Sequence, residues 1–165
     1  MIKTTVATSI KYGNYKHMQN KVERWQKVIE KNWALICEAV GISTKEEVKI
    51  HWRPIKGSVK GNYASHIKTI NMDSRKYGNV QDMIETLGHE LTHFKQYSEG
   101  RLAVKYDQKI SKWTSIWSGT TYKQPSTWNA YYNRPWEVDA RDGGHKARVA
   151  YIQKIEKVWR AQKAA

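Results

Sequence analysis

The chain has 165 residues, and its 29 lysines and arginines against 15 aspartates and glutamates give a formal net charge of +14. This length suffices for one domain with its own core, and the single cysteine, Cys37, excludes an intramolecular disulfide. No apolar run is long enough for a signal peptide or a membrane-spanning helix, so we expect one cytoplasmic domain over residues 1–165 and no membrane partner.

The first half of the chain predicts a long helix followed by two strands. Apolar residues recur at helical spacing over residues 15–40, and Gly41 ends this helix. Val48–Trp52 alternates between apolar and polar residues, as a half-buried strand does. After a glycine-bounded turn region at 57–61, we expect a second strand over residues 65–73.

The next helix carries the most informative motif, His-Glu-Leu-Thr-His at positions 89–93. An apolar stripe predicts a helix with Asn79 as its N-cap and Gly100 as its stop. His89 and His93 lie one turn apart on the opposite face, which suits two ligand positions of a tetrahedral zinc ion. Glu90 lies at the edge of the stripe, where it can accept a proton from a zinc-activated water.

The segment between Gly100 and Asn133 is rich in Trp, Tyr, Ser, Thr and Gly. Residues 102–106 and 113–122 predict either short strands or an ordered loop. Four of the eight tryptophans fall between Trp113 and Trp136. Their rings can supply core area where regular structure is sparse, or they can line a substrate cleft.

A catalytic zinc ion requires a third protein ligand, and Glu137 is the best candidate in this sequence. Asn133 can cap a helix and Pro135 suits the first turn, which places Glu137 in that turn. The small Ala140 lies near the same face and would let this helix approach the zinc helix closely. The helix is expected to run to about residue 160, weakened by a Gly-Gly pair at 143–144.

Other residues remain open as the third ligand. Glu99 lies six residues after His93, but the zinc-protease pattern with that spacing needs a glycine where this chain has Gln96. Asp139 and His145 are further rivals, and Glu137 could simply be favoured by the helix dipole. Three isolated histidines are expected to be ordinary surface or hydrogen-bonded residues: His17, His51 and His66.

The order of these motifs resembles the minimal, gluzincin-like zincin fold of zinc metallopeptidases. The likeness is closer to short metallopeptidases encoded by bacteriophages, and it covers about residues 79–141. Beyond the zinc helix it includes a Gly-Arg-Leu element, Trp117-Ser118-Gly119, and a Tyr-x-x-x-Pro-Trp-Glu-x-x-Ala segment that begins at Tyr131. The resemblance implies an α+β domain with a long N-terminal helix, a small antiparallel sheet, the zinc helix and a C-terminal helix that bears the glutamate.

The resemblance also implies a ligand set and a mechanism. Zn²⁺ is held by His89, His93 and Glu137, and Glu90 is the general base for the water that attacks the peptide carbonyl. The edge strand before the zinc helix, over residues 64–71, pairs with extended peptide substrate. The candidates that stabilise the oxyanion are Tyr131, Tyr132, Arg141 and His145, and the candidates that orient a ligand histidine are Asp82 and Asp139.

These inferences favour a zinc-dependent endopeptidase that acts on protein or peptide. A nucleic-acid-associated protease is an alternative in which the +14 charge binds nucleic acid or an acidic protein. The basic residues are scattered along the chain, however, and equally suit a solvated surface. A non-catalytic phage interaction or structural protein with a vestigial zinc site is a third hypothesis, and a cell-wall hydrolase is a fourth.

Overall fold

An α+β fold, as predicted, is seen in a computed structural model that describes residues 2–6, 16–108 and 111–164. The elements are β1 (Ile2–Val6), α1 (Lys16–Val40), β2 (Val48–Trp52), β3 (Gly61–Ala64), β4 (Thr69–Met72), α2 (Val80–Ser98), β5 (Leu102–Asp107), β6 (Lys112–Trp117), β7 (Thr120–Lys123), α3 (Trp128–Tyr132) and α4 (Pro135–Ala164). The predicted helix start at residue 15 and the side chain of His17 lie outside the described residues. None of the described helices has the length and apolar character needed to cross a membrane.

Helix α1 packs its apolar face against α2 and a four-stranded sheet of order β1-β2-β4-β3. The rings of Trp25, Trp52 and Tyr77 meet at centroid distances of 5.1 to 6.5 Å and fill the core between α1 and the sheet. Cys37 is fully buried in the same core, and burial raises the pKa of its thiol to about 11. This cysteine is therefore a packing residue, as the sequence indicates.

This first sheet is mixed. Strands β1, β2 and β4 run parallel, and only β3 is antiparallel to its neighbour β4. The predicted strand over residues 65–73 is correct only for β4, because residues 65–67 form a 3-10 turn that Lys68 closes at φ 49°. Strand β3 lies partly in the region predicted as a turn, and β1 was not predicted. The sequence also misplaces the edge of the sheet, which is β3 rather than residues 64–71.

The predicted small antiparallel sheet is the second one, with order β5-β6-β7. The sequence left either short strands or an ordered loop open for residues 102–106 and 113–122, and the structure has strands there. Ser118 and Gly119 connect β6 to β7 at φ 46° and 85°. Two left-handed residues in succession match the twist of a two-residue hairpin, which explains the Trp-Ser-Gly element.

Helices α2 and α4 cross in close contact through small residues. A Cβ on Gly143 would collide with Thr92 Oγ1, and a Cβ on Gly144 would lie 2.6 Å from the carbonyl oxygen of Glu85. A Cβ on Gly88 would lie 2.6 Å from that of Ala147. The Gly-Gly pair is therefore the contact point of the two helices, and α4 continues through it. The predicted weakening of α4 at this pair stays a prediction.

Candidate metal centre

The zinc helix predicted from the sequence is α2, and its ends are those expected. Asn79 Oδ1 accepts a hydrogen bond of 2.9 Å from the backbone N–H of Asp82, which fixes the start of the helix. After the helix, Gly100 adopts φ 69°, a left-handed conformation that suits glycine. The apolar face of α2 is buried in the core, so that His89 and His93 lie on the face beside α4.

The structure brings His89, His93 and Glu137 together. The two Nε2 atoms lie 3.2 Å apart, Glu137 Oε2 lies 3.5 Å from the Nε2 of His89, and Glu137 Oε1 lies 3.4 Å from that of His93. Ligands at about 2.0–2.2 Å from a tetrahedral zinc ion are separated by roughly 3.3–3.6 Å. The two imidazole nitrogens and the Glu137 carboxylate, which turns one oxygen to each histidine, therefore lie close enough to share one metal ion.

Glu137 reaches this cluster from the first turn of α4. Asn133, predicted as the cap of this helix, is instead the C-cap of α3, because a short helix precedes α4 and was not predicted. Burial opposes ionisation of Glu137, but hydrogen bonds from His89, His93 and Tyr131 outweigh it and hold the pKa of this carboxyl far below its ordinary value. The lowered pKa keeps this carboxyl negatively charged at neutral pH.

A buried glutamine orients His93. The Oε1 of Gln96, which is fully buried, lies 2.9 Å from His93 Nδ1. Its Nε2 donates to the carbonyl oxygen of Trp136 at 2.9 Å and to Asp139 Oδ2 at 3.0 Å. Since Gln96 Nε2 is occupied as a donor, Oε1 accepts from Nδ1 of the His93 ring, and Nε2 is the ring nitrogen that faces His89 and Glu137.

The sequence does not reveal the role of Gln96, although its position three residues after His93 on the same helix is a signal that could have found it. Asp139 therefore acts on His93 only through Gln96, and it also pairs with Arg101 at 3.1 Å. Asp82 pairs with Lys60 at 2.5 Å, away from the histidines. The prediction was that Asp82 or Asp139 orients a ligand histidine. The structure instead connects Asp139 to His93 through the side-chain amide of Gln96.

Glu90 points into the space beside the cluster. It is 4% exposed, its carboxylate accepts a hydrogen bond from the backbone N–H of Tyr63, and its Oε2 has no hydrogen-bond partner in the described residues. Burial raises the pKa of Glu90 above its ordinary value. Strand β3 comes this close because Gly61 lacks a Cβ, which would lie 2.9 Å from Thr86 Cγ2.

A cleft of about 610 Å³ opens over the cluster and is lined by His89, Glu90, His93 and Glu137. Tyr131 lines it as well, and burial followed by the hydrogen bond to Glu137 raises the pKa of its phenol. Two more predicted catalytic residues also line the cleft: Tyr132 and Arg141.

The rival ligands are not part of the cluster. Glu99, for example, pairs with Arg101 at 2.8 Å. In the described part of the chain, the only potential metal cluster contains none of the following residues: His51, His66, Glu99, Asp139 and His145. The prediction that the +14 charge binds nucleic acid or an acidic protein stays a prediction.

Strand β3 forms the rim of the cleft and is an edge strand, since β4 is its only partner among the described strands. The backbone N–H of Asp73 donates to the carbonyl oxygen of Lys60 at 2.9 Å, so these two residues form a hydrogen-bonded pair. In an antiparallel ladder such pairs alternate, and the main-chain groups of Gly61 and Tyr63 therefore point away from β4. The rim thus offers main-chain hydrogen-bonding groups beside Glu90.

Comparison of the chain with models of protein families, with curated proteins and with solved structures finds no match. Its function has to be inferred from the site itself.

Proposed function

We propose that the protein is a zinc-dependent endopeptidase. The observation that carries this proposal is the arrangement of Glu90 beside the cluster of His89, His93 and Glu137. Two histidine nitrogens and a carboxylate suit zinc, and three protein ligands leave a fourth position open. A bound zinc ion would polarise a carbonyl group and make a water molecule acidic near neutral pH.

Glu90 is the proposed general base. Its unpartnered Oε2 faces a buried environment, and its raised pKa brings its basicity closer to the pH at which a neutral-pH hydrolase works. It would take the proton from the attacking water and pass it to the departing amine. The backbone N–H of Tyr63 holds the carboxylate in place during both transfers.

Tyr131 is the proposed donor to the oxyanion. Its hydroxyl already reaches the carboxylate of Glu137, which places it at the metal cluster. Arg141 is less suited, because its guanidinium donates to the Tyr132 carbonyl and lies 3.5 Å from the Tyr132 ring centroid. A neutral phenol close to the cluster can stabilise the negative charge that develops on the substrate oxygen.

A peptide is favoured as the substrate because the rim of the cleft is the free edge of a sheet. An extended peptide can add to β3 through the outward main-chain groups of Gly61 and the carbonyl oxygen of Tyr63, since the N–H of Tyr63 is bonded to Glu90. Such pairing would hold a main-chain amide next to Glu90. This arrangement suits cleavage within an extended segment of protein substrate.

Metal analysis combined with single substitutions tests this proposal. We expect the purified protein to bind one zinc ion and to cleave an unfolded protein such as reduced casein. His89→Ala and Glu137→Ala should lose zinc, whereas Glu90→Gln should retain zinc and lose cleavage. Substitution of the exposed Glu46 by Gln is the control that should change neither property. Zinc retention without cleavage by the unsubstituted protein would instead support the non-catalytic alternative.

A further inference from the structure

We propose that an aromatic part of the cleft lining is a subsite for a large apolar side chain, aromatic above all, of a bound peptide. This part of the lining, called the aromatic wall, consists of Leu102 and Val104 of β5, Pro125 and the α3 residues Trp128, Tyr131 and Tyr132. The inference rests on the proposed peptidase function and specifies its substrate class.

Several apolar side chains of the aromatic wall are exposed to solvent. Trp128 is 71% exposed and Val104 is 46% exposed, although both lie in a concave cleft beside buried apolar residues. Single exposed apolar side chains are common, but a group of them in a cleft marks a binding site. The surface is therefore available to a ligand that brings apolar area of its own.

The aromatic rings of α3 are held in a fixed arrangement. Residues 128, 131 and 132 share one side of the helix, and the Trp128 ring lies 5.5 Å from that of Tyr131 and 6.2 Å from that of Tyr132. Thr127 caps the helix through a 3.1 Å bond from Ala130, and Arg141 stacks on Tyr132 at 3.5 Å. A preorganised aromatic surface binds a further ring without loss of its own conformational freedom.

The position of the wall links it to the metal cluster. Tyr131 connects the two, because its ring contacts Trp128 while its hydroxyl bonds to Glu137. A peptide paired with β3 would run through the same cleft that the aromatic wall lines. A side chain close to the reacting amide would thus come within reach of the aromatic wall.

The chemistry of the cleft favours an apolar side chain over other ligands. Its described charged groups are His89, His93, Glu90, Glu137 and Arg141, and Arg141 is already bonded to the Tyr132 carbonyl. A phosphate group in this cleft would thus lie near two carboxylates, and the one arginine of the described lining is already engaged. A sugar can also stack on Trp128, and Asn62, Ser115 and Gln124 of the described cleft could bond its hydroxyls, so a sugar is the rival occupant that the binding experiment has to separate.

Peptide binding to the zinc-loaded Glu90→Gln protein tests the subsite without any need for cleavage. The probes are two blocked nine-residue peptides of alanine and serine that differ only at the centre, which is Phe in one and Ala in the other. By titration calorimetry, we expect the Phe peptide to bind about tenfold more tightly, a difference that one aromatic contact supplies. Trp128→Ala in the same background should abolish this difference.

Trp159→Ala is the matched control. Trp159 is 55% exposed on α4 and lies outside the cleft, so its loss should leave the tenfold preference intact. Equal affinity for the Phe and Ala peptides, or a preference that survives Trp128→Ala, would refute the subsite while leaving the peptidase proposal to the casein assay. Tighter binding of a chitin oligosaccharide than of the Phe peptide, lost in Trp128→Ala, would also overturn it and assign the wall to a sugar.

Discussion

Replacement of Gln96 by Leu should weaken zinc binding in a protein that remains folded. Gln96 fixes the His93 ring through a contact of 2.9 Å and is itself held by Trp136 and Asp139 at 2.9 and 3.0 Å. Leucine has nearly the same volume but neither accepts nor donates. His93 would then lose the bond that keeps its proton on Nδ1 and its ring plane aligned with the metal position.

The expected changes in zinc affinity and in unfolding free energy follow from the groups that lose a hydrogen-bond partner. Groups that hold a metal-ligating histidine typically contribute 10- to 100-fold to metal affinity, so we expect the zinc Kd to rise by about 30-fold. The buried carbonyl of Trp136 also loses a donor, whereas Asp139, with 36% of its side chain exposed, can bond to water. The unfolding free energy should therefore fall by about 2 kcal/mol, which leaves the native state dominant at 25 °C.

Competition against a chromophoric chelator gives the zinc Kd, and circular dichroism checks the fold in the same sample. Gln81→Leu is the matched control, because Gln81 lies exposed on the same helix. Nitrogen-detected NMR of the histidine rings adds a direct readout, since His93 should be protonated on Nδ1 only when Gln96 is present. A folded Gln96→Leu protein whose Kd stays within twofold of the original would refute the orienting role.

Three further predictions concern the scaffold of the site. Gly143→Ala should lower the free energy of unfolding by about 2 kcal/mol and also raise the zinc Kd, because the added methyl group collides with Thr92 and separates α2 from α4. Gly78→Ala is the control, since a methyl group there meets nothing within 4 Å. Equal stability of the two variants would contradict this prediction. Lys76→Met should lower Tm by several degrees, because the Lys76 ammonium binds three carbonyl oxygens of the loop before β3 at 2.6 to 2.7 Å; an unchanged thermal scan would rule this out. Asp73→Asn should cost about 1–2 kcal/mol at neutral pH, because burial is outweighed by bonds from Arg75 and from the backbone that lower the Asp73 pKa to about 2. A carboxylate with a lowered folded-state pKa stabilises the protein above about pH 4 and loses this effect as the pH falls toward 2. The unfolding free energies of the original protein and of Asp73→Asn, measured by urea titration, should therefore converge in acid. A difference that stays constant with pH would show that the charge of Asp73 is not the cause.

The local parts of the site could be predicted from the sequence. The helix that carries His89 and His93 has an apolar stripe, an N-cap and a stop signal, and all of these act within a few residues of the chain. Glu137 follows a proline that suits a first helical turn, so its place at the start of a helix could also be inferred. Periodicity and capping suffice for such features because nearby residues determine them.

The parts that depend on long-range contacts could not be predicted. Gly61 was taken as the end of a turn, because its role as the strand residue that approaches Thr86 depends on tertiary packing. Gln96 was considered only as the residue where another zinc-protease pattern has glycine, since its partners Trp136 and Asp139 lie some forty residues away. In each case the residue type is ambiguous until its neighbour in space is known.

The glycines of α2 and α4 explain how the metal ligands meet. Contacts pair Gly88 with Ala147, Thr92 with Gly143, and Gln96 with Asp139, so the two helices run antiparallel with one contact per turn. A slip of one turn would move Glu137 by about 5.4 Å, which exceeds the distance between ligands of one metal ion. The register seen here places Gly88 against Ala147 and Gly143 against Thr92. The same packing that buries the two helices therefore sets the geometry of the metal centre, and the carboxylate needs no flexible loop to reach it.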